Sequence, residues 1–203
     1  MGRRETRVGY ELDNGGIKEL SFEEIKAILR GADDLISVGG RNLLAKILKG
    51  SKDKIVLSHQ LENSPVYGFY HDLTLQEILY RIDWVIENHY LNIYYNGRLP
   101  VLVYSDKGWE IERETYAEEL LHKLKSLLGT GDYSFVKELK DRNRGMILLL
   151  VDKIMQTHNK KFIPLLYAWK ENEYKKVRSA LQNAINYYSV MTNQCQTKPE
   201  KEP

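Results

Sequence analysis

The hydrophobic period of the chain changes after Tyr90, and this change limits the folds open to the N-terminal half. Before that point apolar residues recur at helical spacing, in a segment that begins with the capping-box sequence Thr74-Leu-Gln-Glu77. After it, apolar and polar residues alternate on both sides of Asn96-Gly97, a pair typical of a type I′ turn. The pattern predicts a long helix followed directly by a hairpin over residues 91–104, which Asp106-Lys-Gly108 closes.

Two further helices are expected before this pair. Ser21-Phe-Glu-Glu24 is a second capping box, and a short helix is predicted from Arg41 to Lys49, after the Gly39-Gly40 break. Three helices followed by a two-stranded hairpin is the order of a winged helix. From Glu112 onward the apolar spacing is helical, with Phe135–Leu139 as one predicted helical segment.

These patterns predict a mostly α protein of the α+β class. Turn residues separate two helical hairpins in the C-terminal half, whose stacking is similar to that of HEAT-like repeats. The expected parts are a flexible N-terminal arm (1–20), a winged-helix domain (21–112), a helical domain (113–190) and a disordered tail (191–203).

Composition argues against several functional classes. The single cysteine, Cys195, rules out an intramolecular disulfide and a cysteine-based zinc site, and the five histidines have no ligand spacing. No catalytic constellation is present, so we expect a non-enzymatic protein without cofactor or metal. No apolar run approaches the roughly 18 residues of a membrane span. Without an N-terminal apolar stretch, the expected location is the cytoplasm.

Two segments carry a resemblance to a known family. They are Gly40-Arg-Asn-Leu-Leu-Ala-Lys-Ile-Leu-Lys-Gly-Ser51 and Ser64-Pro-Val-Tyr-Gly-Phe-Tyr-His-Asp-Leu-Thr74. Their Leu-Lys-Gly-Ser and Tyr-Gly turns resemble those of the RQC winged-helix domain of RecQ-family helicases. The chain lacks the phosphate-binding Gly-x-x-x-x-Gly-Lys-Ser/Thr loop of the helicase motor and the four cysteines of the zinc module. The resemblance therefore implies a stand-alone DNA-binding protein of the RQC-minor type.

Basic residues suggest where nucleic acid would bind. Residues 113–203 carry 16 Lys/Arg against 11 Asp/Glu, whereas residues 1–112 carry 14 against 17. Within the acidic half, residues 41–54 hold five basic side chains and one acidic one. The resemblance implies that this stretch grips the DNA backbone. The hairpin tip is expected to bind the backbone as well, with entry into a groove or stacking on a terminal base pair as the alternatives. The expected contacts are Arg41, Lys46, Lys49, Ser51, Lys52, Tyr67, Thr74, Asn96 and Arg98.

The basic helical half provides a second possible contact set. It consists of Lys160, Lys161, Lys175, Lys176 and Arg178. The alternative is that these lysines only keep a helical spacer soluble. The leading hypothesis is a DNA-binding protein accessory to repair or replication, with a possible protein partner on the helical domain. A protein-interaction adaptor and a winged-helix transcriptional regulator stay open as alternatives.

Overall fold

The computed structural model describes residues 11–35, 39–97 and 99–196. The chain forms two compact units, Met1–Glu112 and Arg113–Pro203. Its fold is mostly helical with one two-stranded antiparallel sheet, as the sequence predicted.

Helices α1 (Phe22–Asp33) and α4 (Leu75–Glu87) both begin at a capping box. Ser21 and Thr74 accept from the backbone N–H three residues later, and Glu24 and Glu77 accept from the N-cap N–H in return. Both predicted helix starts are confirmed.

Between them lie α2 (Arg41–Lys49), as predicted, a short α3 (Lys54–Ser58) and a 3-10 turn (Leu61–Asn63). Helices α1, α2 and α4 pack against one another. Their apolar faces form the core of the first unit, which includes Ile28, Leu29, Leu44, Ile47, Leu48, Ile78, Ile82 and Val85.

Strands β1 (Leu91–Asn96) and β2 (Leu99–Tyr104) form the predicted hairpin, but its turn lies one residue further along than expected. Asn96 pairs with Leu99, so Asn96 belongs to β1 and the turn is not the predicted Asn96-Gly97 pair. This register pairs Pro100 with Tyr95, next to the closing pair. Because hydrogen-bonded and non-bonded pairs alternate, it places Pro100, which has no N–H, in a non-bonded pair.

Helix α5 (Asp106–Leu127) begins where the sequence predicted a closing turn. Ser105 Oγ accepts from the Gly108 N–H at 3.0 Å and so caps the helix start. A Cβ on Gly108 would lie 2.0 Å from the Tyr90 carbonyl oxygen. Gly108 thus allows α5 to approach the Tyr90 carbonyl closely, at a position where the sequence pattern predicted a turn.

Residues 11–20 fall within the segment for which we expected a flexible arm. Leu20 is buried in the core of the first unit, and Leu12 and Ile17 pack against that core. Residues 1–10 lie outside the described residues.

The second unit has its own core. After α5 it contains a 3-10 helix (Ser134–Leu139), where an α-helical segment was expected, then α6 (Arg144–Gln156), a 3-10 turn (Lys160–Phe162), α7 (Ile163–Lys170) and α8 (Lys175–Gln196). Its largest fully buried side chains are Phe162, Trp169 and Tyr188. The likeness to HEAT repeats stays a prediction.

Helices α6 and α8 run parallel. The Tyr188 hydroxyl, in the second half of α8, donates to the Ile154 carbonyl near the C-terminal end of α6 at 2.6 Å. Near the starts of the two helices, Ile147 and Val177 line one cleft. Helix α8 continues into the first residues of the predicted disordered tail, and residues 197–203 lie outside the described residues.

Candidate nucleic-acid interface

The two turns that carry the family resemblance pack on each other. Gly50 and Gly68 both adopt left-handed backbone conformations, with φ of 75° and 77°. A Cβ on Gly50 would lie 3.1 Å from the Cα of Gly68. The Gly68 and Tyr70 N–H groups donate to the Ile47 and Leu48 carbonyls at 2.9 and 2.7 Å. The second turn thus satisfies carbonyls at the end of α2 and fixes the first turn in place.

Side chains of the predicted set surround this contact. The Tyr67 hydroxyl donates to the Ser51 carbonyl at 3.1 Å, and Thr74 caps α4. We call this area the turn surface, and it comprises Lys46, Lys49, Ser51, Lys52, Lys54, Tyr67 and Thr74.

Four lysines of the turn surface differ in their engagement. Lys46 Nζ lies 2.8 Å from Asp53 Oδ2, and this hydrogen bond lowers the pKa of Asp53. Lys49 donates to the His71 carbonyl at 2.6 Å. Lys52 and Lys54 are exposed, and no side-chain partner occurs for either in the described part of the chain. Lys54, which the sequence prediction omitted, therefore belongs with Lys52 as an available cation.

Arg41 makes different contacts from these lysines. Its Nη1 lies 2.6 and 2.5 Å from Oδ1 and Oδ2 of Asp83, and Oδ2 also accepts from the Asp13 N–H at 3.1 Å. Burial raises the pKa of Asp83, while the Asp13 N–H and Arg41 act in the opposite direction. The structure therefore gives Arg41 a role in holding α2, α4 and the N-terminal segment together.

The N-terminal segment covers the outer side of α4. Asn14 Nδ2 donates to Glu87 at 2.6 Å, and Gly15 packs directly against the Tyr80 ring. The helix carries Glu77, Asp83 and Glu87 against one basic residue, Arg81. In helix-turn-helix proteins the recognition helix enters the major groove. Here the N-terminal segment lies along this side of α4, and the first turn of the helix stays exposed beside the turn surface.

The hairpin has an apolar outer side. Tyr94 and Leu99 are 61% and 72% exposed, and both belong to the face opposite the buried Leu91 and Leu102. Arg98 and the side chain of Asn96 lie outside the described residues, so their contact with DNA stays a prediction.

The secondary set divides between the two ends of α6. Lys160 and Lys161 follow its C-terminal end, whereas Lys175, Lys176 and Arg178 lie in the first turn of α8, beside its start. Thirteen residues of helix, roughly 20 Å, separate the two groups. These five residues therefore do not form one site.

The described part of the chain holds neither a metal cluster nor a membrane-spanning helix. Within residues 11–35, 39–97 and 99–196, no group of three or more His, Cys, Asp or Glu side chains is placed to hold a metal ion. Among the helices of those same ranges, none combines the length and apolar character that crossing a bilayer requires.

Comparison with known proteins identifies a single family. The family model described as the RQC domain matches residues 21–122, half of the chain. No curated protein and no solved structure matches.

Proposed function

The chain belongs to the RQC domain family, a winged-helix domain of the DNA-binding type and not itself catalytic, and on that basis we propose that it grips the DNA backbone through the turn surface. The observation that carries this proposal is the pair of exposed lysines, Lys52 and Lys54, beside a turn fixed by the Gly50–Gly68 contact. The fixed turn holds the backbone beside these lysines in place before phosphates bind, which favours backbone binding.

The N-terminal segment covers α4, and this favours contact with the DNA backbone over recognition of base edges by that helix. Residues 13–15 meet its outer side, where Asp83 is paired with Arg41 and Glu87 accepts from Asn14, so this side is closed to base edges. The first turn of α4 remains exposed, and its N–H groups are partly occupied by Thr74. We therefore expect recognition of DNA shape and charge, with little preference for base sequence.

Salt dependence of binding tests the turn surface. In the full chain, Lys52→Gln with Lys54→Gln should lower the slope of log K against log salt by about two, because each lost phosphate contact removes about one unit. Fluorescence anisotropy with a labelled forked duplex, across a series of salt concentrations, measures both affinity and slope.

Two matched variants control this experiment. Lys52→Arg with Lys54→Arg keeps the charge and should keep the slope. Lys18→Gln with Lys26→Gln removes the same net charge elsewhere in the unit and should leave the slope unchanged. An unchanged slope in the Lys52/Lys54 glutamine variant would exclude the turn surface as the contact.

The resemblance to RecQ-family helicases supports a role accessory to DNA repair or replication. Such a role predicts tighter binding to forked or four-way DNA than to plain duplex. Tight binding to one operator-like sequence alone would instead favour a transcriptional regulator. Absence of any salt-sensitive DNA binding would favour a protein-interaction adaptor, since an apolar docking surface responds little to salt.

A further inference from the structure

The second unit contains a cleft of about 250 Å³ where α6 and α8 begin. Three cationic side chains line it, Lys140, Arg142 and Arg144, together with Asp141, Glu173 and Tyr174. We call this the α6–α8 cleft. Helix α8 contributes Val177 to the lining, and the neighbours of Val177 in the first turn of α8, Lys175, Lys176 and Arg178, belong to the predicted secondary set.

Positive charge dominates around the α6–α8 cleft. Segments 137–144 and 170–178 together hold eight Lys/Arg and four Asp/Glu. Glu173 is buried, and its carboxylate accepts from Trp169 Nε1 at 2.8 Å and from the Tyr174 N–H at 3.2 Å. The Glu173 carboxylate therefore lies inside the unit. In contrast, Arg144, Lys175 and Lys176 are exposed.

The two helix starts differ from those of the first unit. Helices α1 and α4 carry glutamates in their first turns, whereas α6 and α8 carry none and begin with Arg144 and with Lys175-Lys176. Cations beside the positive end of a helix dipole repel it. A bound anion relieves that repulsion, because it attracts both the side chains and the helix ends.

An exposed aromatic ring forms one wall. Tyr174 is 55% exposed, with Lys140 Nζ 5.0 Å above its ring centroid, and its hydroxyl lies 3.4 Å from Asp141 Oδ1. A cationic cleft with an exposed ring is suited to a charged backbone that carries flat bases, since aromatic rings stack on bases of any sequence.

We propose that the α6–α8 cleft is a second nucleic-acid contact, in which Arg144, Lys175 and Lys176 bind backbone phosphates and Tyr174 stacks on a base. This inference rests on the proposed DNA-binding function, which is why nucleic acid rather than an acidic peptide is the assigned ligand. It assigns Lys160 and Lys161, at the other end of α6, to the solvated surface.

A matched pair of double variants in the full chain tests the proposal. Arg144→Gln with Lys175→Gln removes one cation from each helix start, and Lys160→Gln with Lys161→Gln removes the same net charge from the opposite end. With a labelled forked duplex, the cleft double should lose about tenfold in affinity and one to two units of salt slope. The control double should keep the slope of the unaltered chain. All four side chains are exposed, and thermal unfolding should confirm that both doubles fold.

Tyr174→Leu separates stacking from charge. It should weaken binding to a single-stranded oligonucleotide severalfold and leave the salt slope unchanged. Equal loss of slope in both doubles, or none in the cleft double, would overturn the proposal. If the cleft double is unaffected while the Lys52/Lys54 variant loses slope, only this inference fails. If the unaltered chain shows no salt-sensitive DNA binding, the proposed function fails as well.

Discussion

At the scale of single residues, charge alone does not separate contact residues from structural ones. Arg41 and Lys52 lie in the same basic stretch, yet Arg41 is bound by a buried carboxylate and Lys52 faces solvent. The glycines also differ in their surroundings. Any side chain at Gly108 would collide with the Tyr90 carbonyl, whereas the space around the Cβ position of Gly97 is open. The contacts of each side chain, rather than its residue type, distinguish a residue that is engaged within the fold from one that is available to a ligand.

Arg41→Ala should therefore reduce stability more than DNA affinity. Removing the guanidinium leaves the buried Asp83 carboxylate without its cation, which costs about 2–3 kcal/mol in the free energy of unfolding. Urea unfolding at pH 7 measures this loss. Adding Asp83→Asn should recover part of it. Full stability combined with lost DNA binding would return Arg41 to the contact set.

Gly108→Ala should destabilise the first unit by about 1–3 kcal/mol, because the new methyl group collides with the Tyr90 carbonyl. Alanine at an open helical position would stabilise by up to about 1 kcal/mol instead. The sign of the change in the unfolding midpoint therefore distinguishes a collision at Gly108 from an open helical position. Gly97→Ala, at the exposed turn, removes a glycine without a collision and shows the cost of a positive φ by itself, about 1–2 kcal/mol at φ 61°.

At the scale of elements, capping boxes determine where α1 and α4 begin. Burial opposes ionisation of Glu24, but hydrogen bonds from the Ser21 N–H and hydroxyl, Tyr70 and Arg81 together lower its pKa. Glu24 therefore joins the start of α1 to the loop before α4 and to α4 itself. The cap is a tertiary contact as well as a local one.

The stability that Glu24 supplies should depend on pH. Because its folded pKa is lowered, the contribution is complete above the ordinary glutamate value and is lost as pH falls through the folded value. Glu24→Gln keeps an acceptor but cannot titrate, so its unfolding midpoint should fall less between pH 7 and pH 3 than that of the unaltered chain. Glu19→Gln, at an exposed position, should show the unaltered pH dependence.

At the scale of the whole molecule, the chain folds around two separate hydrophobic cores, one in each unit. The RQC match covers the first unit from residue 21 and the first ten residues of the second. The first unit carries an excess of acidic residues, and the second carries the excess of basic residues. Local basic surfaces rather than net charge therefore carry the proposed binding to phosphates.

The full chain should not hydrolyse ATP, with or without DNA, because its sequence lacks the phosphate-binding loop of the helicase motor. Phosphate release measured with saturating single-stranded and forked DNA provides the check. The Lys52/Lys54 glutamine variant distinguishes a contaminant from the chain, since contaminating activity would persist in it unchanged. Hydrolysis that is stimulated by DNA and lost in that variant would contradict the prediction.

Elements with local signals could be predicted from the sequence. Capping boxes at Ser21 and Thr74 and the alternating pattern after Tyr90 each depend on residues within a few positions of one another, and so does the order of helices and hairpin. The turn of the hairpin was shifted by one residue, since Pro100 restricts the register across the strands. Tertiary structure alone decided which cations are available. The pairing of Arg41 with Asp83 spans 42 positions, and the α6–α8 cleft joins segments about 30 residues apart. Such partners come together only when the helices pack, so no local pattern in the sequence could distinguish them.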